Sequence, residues 1–407
     1  MLQLDLIQTL AFAGLALLSG YGLRRLFPLL ARLNMPAAVL GGLAVSVAVW
    51  AAQSRGVSLF KFDTTLQNPL MIAFFTTVGF GAGVALLKKG GRPFVIFLVL
   101  ASAFAVLQNV LGVAVALAFD LHPLFGVLTG SVALTGGPGT AASFAPLFEA
   151  AGVPAAAPVG IATAMAGIVL GALIGGPVVT WLIHRYRLHG PGAGASLARA
   201  PLEQDGVEAG PVLSGGGAED DEEVFPLLKC VIALLVAMWL GAYVSKGFAL
   251  LHVTLPAYIG AMIIAAVIRN LDDGFGWFGL SHRVLDSIGA IALSLFLAMA
   301  LMNLRLWEIA GLALPLIIGL VLQVLLVIAA AVFVFRCMGR DYEASVMSGG
   351  FIGFMLGTTA NAMAVMRALV ERYGVAPRAF LVAPLVGAFF IDFVNGLIVT
   401  ACLNIFK

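Results

Sequence analysis

The sequence predicts an all-α polytopic membrane protein built from two inverted-topology repeats of five transmembrane helices, each repeat carrying a re-entrant hairpin. Three observations predict it. The chain of 407 residues is 61% apolar and only 10% charged, with a mean hydropathy of +1.08, a composition that excludes a water-soluble globular fold. Ten apolar runs read as membrane crossings, and one long polar segment parts them into two sets of five. The net charge is +2 with scattered basic residues, so neither a nucleic-acid stripe nor a polybasic lipid patch is present. Nucleic acid is excluded as a partner; membrane lipid is the solvent.

The crossings are expected at about 4–23, 36–52, 69–87, 93–119 and 157–184, then at 224–245, 255–268, 284–304, 309–337 and 376–405. The first run opens with Asp5 instead of a basic stretch and lacks a small-residue cleavage site, so it reads as a retained helix. Two further apolar stretches, 123–150 and 343–370, are interrupted by glycines: Gly136-Gly137-Pro138-Gly139 in one, Gly349-Gly350 through Gly357 in the other. A half-helix of about 10–13 residues rises roughly 15–20 Å, reaches the midplane of a ~30 Å hydrocarbon core and must turn back. Both read as re-entrant hairpins, the bland alternative being two kinked spans whose glycines permit close packing.

Residues 1–187 thus form a first repeat and 224–407 a second, joined by a flexible linker at 188–223 rich in Gly, Ser, Pro and acidic residues. Weak echoes support the duplication: Met35-Pro36-Ala37 and Leu255-Pro256-Ala257 open corresponding spans, and Gly139-Thr140 and Gly357-Thr358 sit in the two hairpins. Five crossings per half invert the second half relative to the first. With the N-terminus outside, 17 of the 22 Lys and Arg residues fall inside and 5 outside, a bias that orients the chain with both termini periplasmic and the linker cytoplasmic. The hairpins then dip from opposite faces with their tips meeting near the midplane, the architecture of an alternating-access transporter.

No P-loop, HExxH motif or paired carboxylate lies within a span, so no enzyme is expected. Cys230, Cys337 and Cys402 lack metal or redox spacing and read as free, buried, small hydrophobes. Asp272-Asp273 reads as a solvated loop pair, and Gly79-Phe80-Gly81-Ala82-Gly83 as a site of close helix packing. Thr76-Thr77 are expected to bond back to their own helix. The hairpin tips carry the sharper signal. Thr140, and Thr358 or Thr359, can cap the returning half-helices, where exposed N–H groups at a positive helix end suit a carboxylate. Gly137, Gly139, Thr140 and Ser143 in one tip, with Gly357, Thr358, Thr359 and Asn361 in the other, are the candidate substrate-binding residues. Buried polar groups in spans, Gln108, Asn109, Gln323, Asp392 and Asn395, are the candidate ion-binding residues, with sodium as the one metal ion expected there. Asp392 could alternatively hydrogen-bond to a hairpin or stay protonated.

The run Phe74-Phe75-Thr76-Thr77-Val78-Gly79, then Gly90-Gly91-Arg92, Gln108-Asn109, Gly136-Gly137-Pro138-Gly139-Thr140, Ile174-Gly175-Gly176-Pro177, Leu306-Trp307-Glu308 and Pro384-Leu385-Val386-Gly387-Ala388-Phe389-Phe390-Ile391-Asp392 resemble, in order and spacing, the bacterial glutamate:sodium symporter family. The resemblance covers both halves. It implies sodium-coupled uptake of glutamate across the inner membrane, sodium as the coupling ion with no other cofactor, and a homodimer whose hairpin-bearing core moves as an elevator. The chain departs from the family pattern at Pro138, Phe351, Ala360 and Val365, which leaves open another small carboxylate or amino acid, or proton coupling. An ion channel is the alternative from a different class.

Overall fold

The computed structural model describes residues 2–33, 35–55, 60–188, 190, 220–250, 257–276, 278–304 and 311–406. Most of the expected linker, the Leu306-Trp307-Glu308 motif and Leu255-Pro256 lie outside them. The first half holds α1 (Leu6–Leu26), α2 (Pro28–Arg32), α3 (Ala37–Gln53), α4 (Gln67–Gly81), α5 (Val84–Ala118), α6 (Pro123–Val127), α7 (Gly137–Ala150) and α8 (Ala156–Tyr186). The second half holds α9 (Asp220–Leu250), α10 (Ala257–Phe275), α11 (His282–Met302), α12 (Ala313–Cys337), α13 (Tyr342–Met355), α14 (Thr359–Tyr373), α15 (Pro377–Leu385) and α16 (Ile391–Phe406). The expectation of a purely α fold needs one amendment. Two short strands, β1 (Leu2–Gln3) and β2 (Phe60–Lys61), pair in parallel and tie the start of the chain to the segment before α4.

Nine of the ten expected crossings fall mainly on one helix each, with shifted ends, whereas 376–405 is broken into α15, a π-helical segment at Val386–Phe390 and α16. Asp5, which marked the first run, caps α1: its Oδ1 accepts from Gln8 N at 2.8 Å and Gln8 Oε1 accepts from Asp5 N at 3.1 Å. The third span stops at Gly81, short of the expected residue 87. Gly91, at φ +60° and two residues before Pro93, kinks α5, so the apolar stretch that could cross begins at Gly91. Six helices among the described residues are long and apolar enough to cross a membrane: Leu6–Leu26, Gly91–Ala118, Ala156–Tyr186, Phe225–Phe248, His282–Met302 and Ala313–Cys337. The molecule is a polytopic helical membrane protein.

The helices sort into two packed groups. In one, α1, α3, α4, α9, α10 and α11 pack together; in the other, α5, α8, α12, α15 and α16 surround the hairpins α6–α7 and α13–α14. Glycines set the close approaches in the first group. A Cβ at Gly20 or Gly41 would strike the backbone of the facing helix in the α1–α3 pair, and one at Gly241 or Gly260 would do the same between α9 and α10. Gly79 abuts the Met262 carbonyl of α10, as expected for close packing. In the second group Phe97 of α5 meets Phe351 and Phe354 of α13 edge-on, at centroid separations of 6.2 and 5.8 Å.

Two expectations at the chain's polar positions are corrected. Asp272 is 6% exposed, not solvated. Its carboxylate accepts from Phe278 N, Gly279 N and Leu280 N at 2.7, 3.0 and 2.9 Å, while Arg269 pairs with Asp273 at 2.8 Å. All three cysteines are free, but Cys337 is exposed and Cys402 half-buried, leaving Cys230 as the buried one.

Candidate functional site

The first hairpin descends through α6 and a π-helical turn, Leu128–Val132, whose Gly130 has non-helical angles (φ −92°, ψ −124°). Two asparagines secure the residue after the break. Asn109 Oδ1 accepts from Ser131 N at 2.9 Å, and Asn395 Nδ2 donates to Ser131 O at 3.0 Å. A side-chain acceptor and donor thus serve main-chain groups where the regular helical ladder is interrupted. The returning helix α7 begins at Gly137, whose φ of +70° suits only glycine without strain. Thr140 therefore sits inside the first turn of α7 and is not its cap; no side chain caps that end. Ser143 hydrogen-bonds back to Gly139 O at 2.6 Å, so its hydroxyl serves its own helix.

The second hairpin breaks later than its glycines suggest. Gly349, Gly350 and Gly353 lie inside the continuous helix α13, and the turn falls at 356–358. These glycines serve packing: a Cβ at Gly353 would strike the backbone of Ala362 on the returning helix, and one at Gly350 would lie 2.7 Å from Met366 Sδ. Thr358, extended at φ −142° and ψ 163°, is the N-cap of α14, its Oγ1 accepting from Asn361 N at 3.3 Å. Thr359 Oγ1 donates to Gly387 O at 2.5 Å, tying the tip to the π-helical segment Val386–Phe390 that follows Pro384. Asn361 is fully buried and donates to Ile168 O of α8 at 2.9 Å.

The tips meet. A Cβ on Gly137 would lie 3.4 Å from Gly357 O and 3.7 Å from Thr358 Cγ2, so the N-terminal ends of α7 and α14 converge. Gly139 faces the other helix group, where a Cβ would lie 3.0 Å from Leu293 Cδ1 and 3.8 Å from Phe74 Cε1.

Below the tips Gln108 joins both hairpins. Its Nε2 donates to Met355 O at 3.0 Å, its Oε1 accepts from Thr135 Oγ1 at 2.6 Å, and its main-chain oxygen accepts from Gln323 Nε2 at 2.7 Å. Gln108, Asn109, Gln323 and Asn395 are at most 3% exposed and surround the broken turn at Gly130. Asp392, in the first turn of α16, is half-buried, and its side chain makes no hydrogen bond or ion pair among the described residues. Thr76 and Thr77 bond to Ile72 O and Phe74 O of their own helix, as their sequence setting predicts. An open cavity of about 770 Å³, lined in part by Gln67, Glu149, Pro158, Asn303 and Leu312, contains none of these candidate residues. Among the described residues no group of three His, Cys, Asp or Glu side chains could hold a metal ion.

Sequence reasoning missed Ser131 and Thr135, although Thr129-Gly130-Ser131 is a polar interruption of an apolar arm and could have marked the break. It also missed Tyr258, a buried phenol that stacks on Phe75 at 4.5 Å and meets Phe144 of α7 edge-on at 5.4 Å. That aromatic contact bridges the two helix groups.

The family model described as sodium/glutamate symporter matches residues 2–375. A sodium/glutamate symporter of Haemophilus influenzae is 37% identical over 405 residues, covering 95% of this chain and 94% of its own length. One from Escherichia coli strain K12 is 37% identical over 401 residues, covering 98% and 97%. On the extent of these matches, the chain belongs to the sodium/glutamate symporter family.

Proposed function

We propose that the chain is a secondary-active symporter that couples sodium influx to the uptake of L-glutamate by alternating access. The observation that carries the reading is the convergence of two helix N-termini at Gly137 and Thr358. Helix N-termini offer main-chain N–H donors and partial positive charge, and two of them suit an anionic substrate with two carboxylates where the tips themselves carry no Lys or Arg. Gly137, Gly139, Thr140, Gly357, Thr358 and Thr359 are the tip residues assigned to substrate. Ser143 and Asn361 support them through the bonds they make to Gly139 O and Ile168 O. Gln108, Asn109, Gln323, Asp392 and Asn395 are assigned to the region of the coupling ion.

The duplication is read as two inverted repeats, 1–187 and 224–407, joined by the linker at 188–223. Support comes from the matched close approaches of Gly20 and Gly41 between α1 and α3 and of Gly241 and Gly260 between α9 and α10. The pairing of α4 with α11 and of α5 with α12 fits a two-fold relation between halves. An elevator motion is supported by the sorting of helices into two groups, of which only one carries both hairpins. The basic-residue bias supports an inner-membrane orientation with periplasmic termini and a cytoplasmic linker. A homodimer within membrane lipid completes the reading, with the hairpin-free group as the stationary part.

Binding of radiolabelled glutamate to the purified protein tests the assignment. Saturable binding that strengthens with sodium and weakens in Thr358→Ala is expected. Glutamate binding that ignores sodium would contradict the coupling, and an Asp392→Asn variant with unaltered sodium dependence would remove Asp392 from the ion region.

A further inference from the structure

Three buried side-chain oxygens around the broken turn have no hydrogen-bond partner among the described residues: Ser131 Oγ, Gln323 Oε1 and Asn395 Oδ1. Their residues are 0%, 1% and 1% exposed and belong to three elements, the π-turn of the first hairpin, α12 and α16. The orientation of both amides is fixed, because Gln323 Nε2 donates to Gln108 O at 2.7 Å and Asn395 Nδ2 to Ser131 O at 3.0 Å. Flipping either amide would set an oxygen against a carbonyl, so the unpartnered atoms are acceptors. The three residues are close neighbours. Asn395 bonds to Ser131 directly, and the carbonyl that holds Gln323 would lie 2.9 Å from a Cβ on Gly130.

Orphaned buried acceptors call for a donor or a cation. Here they are neutral oxygens, and no carboxylate is among them. Oxygen ligands suit hard cations, and a set without formal charge suits a monovalent ion better than a divalent one, whose dehydration demands more charge. We propose that Ser131 Oγ, Gln323 Oε1 and Asn395 Oδ1 together hold a dehydrated sodium ion beside Gly130. The proposal rests on the symport reading and deepens it by naming Ser131 as a ligand. Gln108 and Asn109 become positioning residues, since Gln108's amide is engaged with Met355 O and Thr135, and Asn109 Oδ1 with Ser131 N. The same geometry supplies coupling. An ion that fixes Ser131 fixes the broken arm of the first hairpin, and Gln108 connects that arm to the second hairpin at Met355 O. Sodium then orders both tips before the anion arrives.

The test follows thermal unfolding of the purified full-length protein against sodium chloride, with choline chloride holding ionic strength constant, alongside glutamate binding at saturating sodium. Wild type is expected to be stabilised by sodium. Ser131→Ala removes an oxygen that has no hydrogen-bond partner among the described residues, and is expected to raise the half-saturating sodium concentration at least tenfold while glutamate affinity at saturating sodium stays within about twofold. Gln323→Met should shift the sodium response in the same direction. A sodium response unchanged in both variants would overturn the site, identifying the oxygens as water partners. Weakened glutamate binding with an unchanged sodium midpoint would overturn it in favour of the substrate's ammonium group. If wild type itself shows neither sodium stabilisation nor sodium-driven uptake, the symport reading fails and the ion site with it.

Discussion

Gln323 Nε2 donates to the main-chain oxygen of Gln108 at 2.7 Å, and this bond joins α12 to α5 beside the breaks in both interrupted stretches. From the same residue the Gln108 side chain reaches Thr135 in one hairpin and Met355 in the other. A buried polar network of this kind stabilises when every member is paired and is costly when one is removed.

Gln108→Leu is therefore expected to leave the Met355 carbonyl unsatisfied and to uncouple the hairpins. The cost is about 2–3 kcal/mol, the penalty for stranding buried polar groups. Thermal unfolding should register the loss, and uptake should fall at least tenfold. An unaltered melting temperature would contradict the role given to Gln108.

At the second tip, Thr358→Ala removes the N-cap of α14 and is expected to cost about 1 kcal/mol. The KM for glutamate should rise several-fold, because the N–H groups that Thr358 organises face the converging tips. Thr358→Ser keeps the capping oxygen and should restore most of both. Calorimetry with uptake kinetics separates the two effects, and a failure of serine to rescue would discount the cap.

Glycines in α13 and α8 are expected to differ sharply in tolerance. Gly353→Val drives a side chain into the backbone of Ala362 and should cost roughly 3 kcal/mol or prevent folding, as overpacking does. Gly176 of α8 has open space around it, so Gly176→Ala should gain up to about 1 kcal/mol from helix propensity. Yields of folded protein and melting temperatures of the two variants provide the check.

Asp272 organises residues 278–280. Burial opposes its charge, but the three N–H donors of Leu280, Phe278 and Gly279, with Arg269 nearby, outweigh that and hold the carboxyl below its ordinary value of 3.8. Because the folded-state pKa is depressed, the stabilisation is complete above the ordinary value and is lost as pH falls through the lowered one. Asp272→Asn is expected to cost about 1–3 kcal/mol near neutral pH, since its NH₂ would face an N–H donor. The gap between variant and wild type should close only in strong acid, measured by unfolding across pH.

Much of the fold was legible because apolar runs of spanning length have few alternatives in lipid, and the two interrupted stretches at 123–150 and 343–370 are helical on both sides of a break. The exact breaks were not. Glycine marks both a turn and a close approach, and the composition of 349–357 does not say which glycine does which; Gly353 packs against Ala362 while the turn waits for Gly357. At the site, Gln108, Asn109, Gln323 and Asn395 stood out as amides in spans, and the structure brings them together. Their partners Ser131 and Thr135 did not stand out, because a hydroxyl inside a helix ordinarily bonds to its own backbone, as Ser143 does. Asp272 was misread for a related reason. Two adjacent acids before glycines look solvated until the chain is seen to fold three N–H groups onto one of them.

The most direct test of the account is accumulation of radiolabelled glutamate in proteoliposomes under an imposed inward sodium gradient, with potassium replacing sodium as the control. The account predicts uptake above equilibrium that requires the gradient, collapses when it is dissipated, and is lost in Gln108→Leu. Equilibration without accumulation, or accumulation indifferent to sodium, would contradict it.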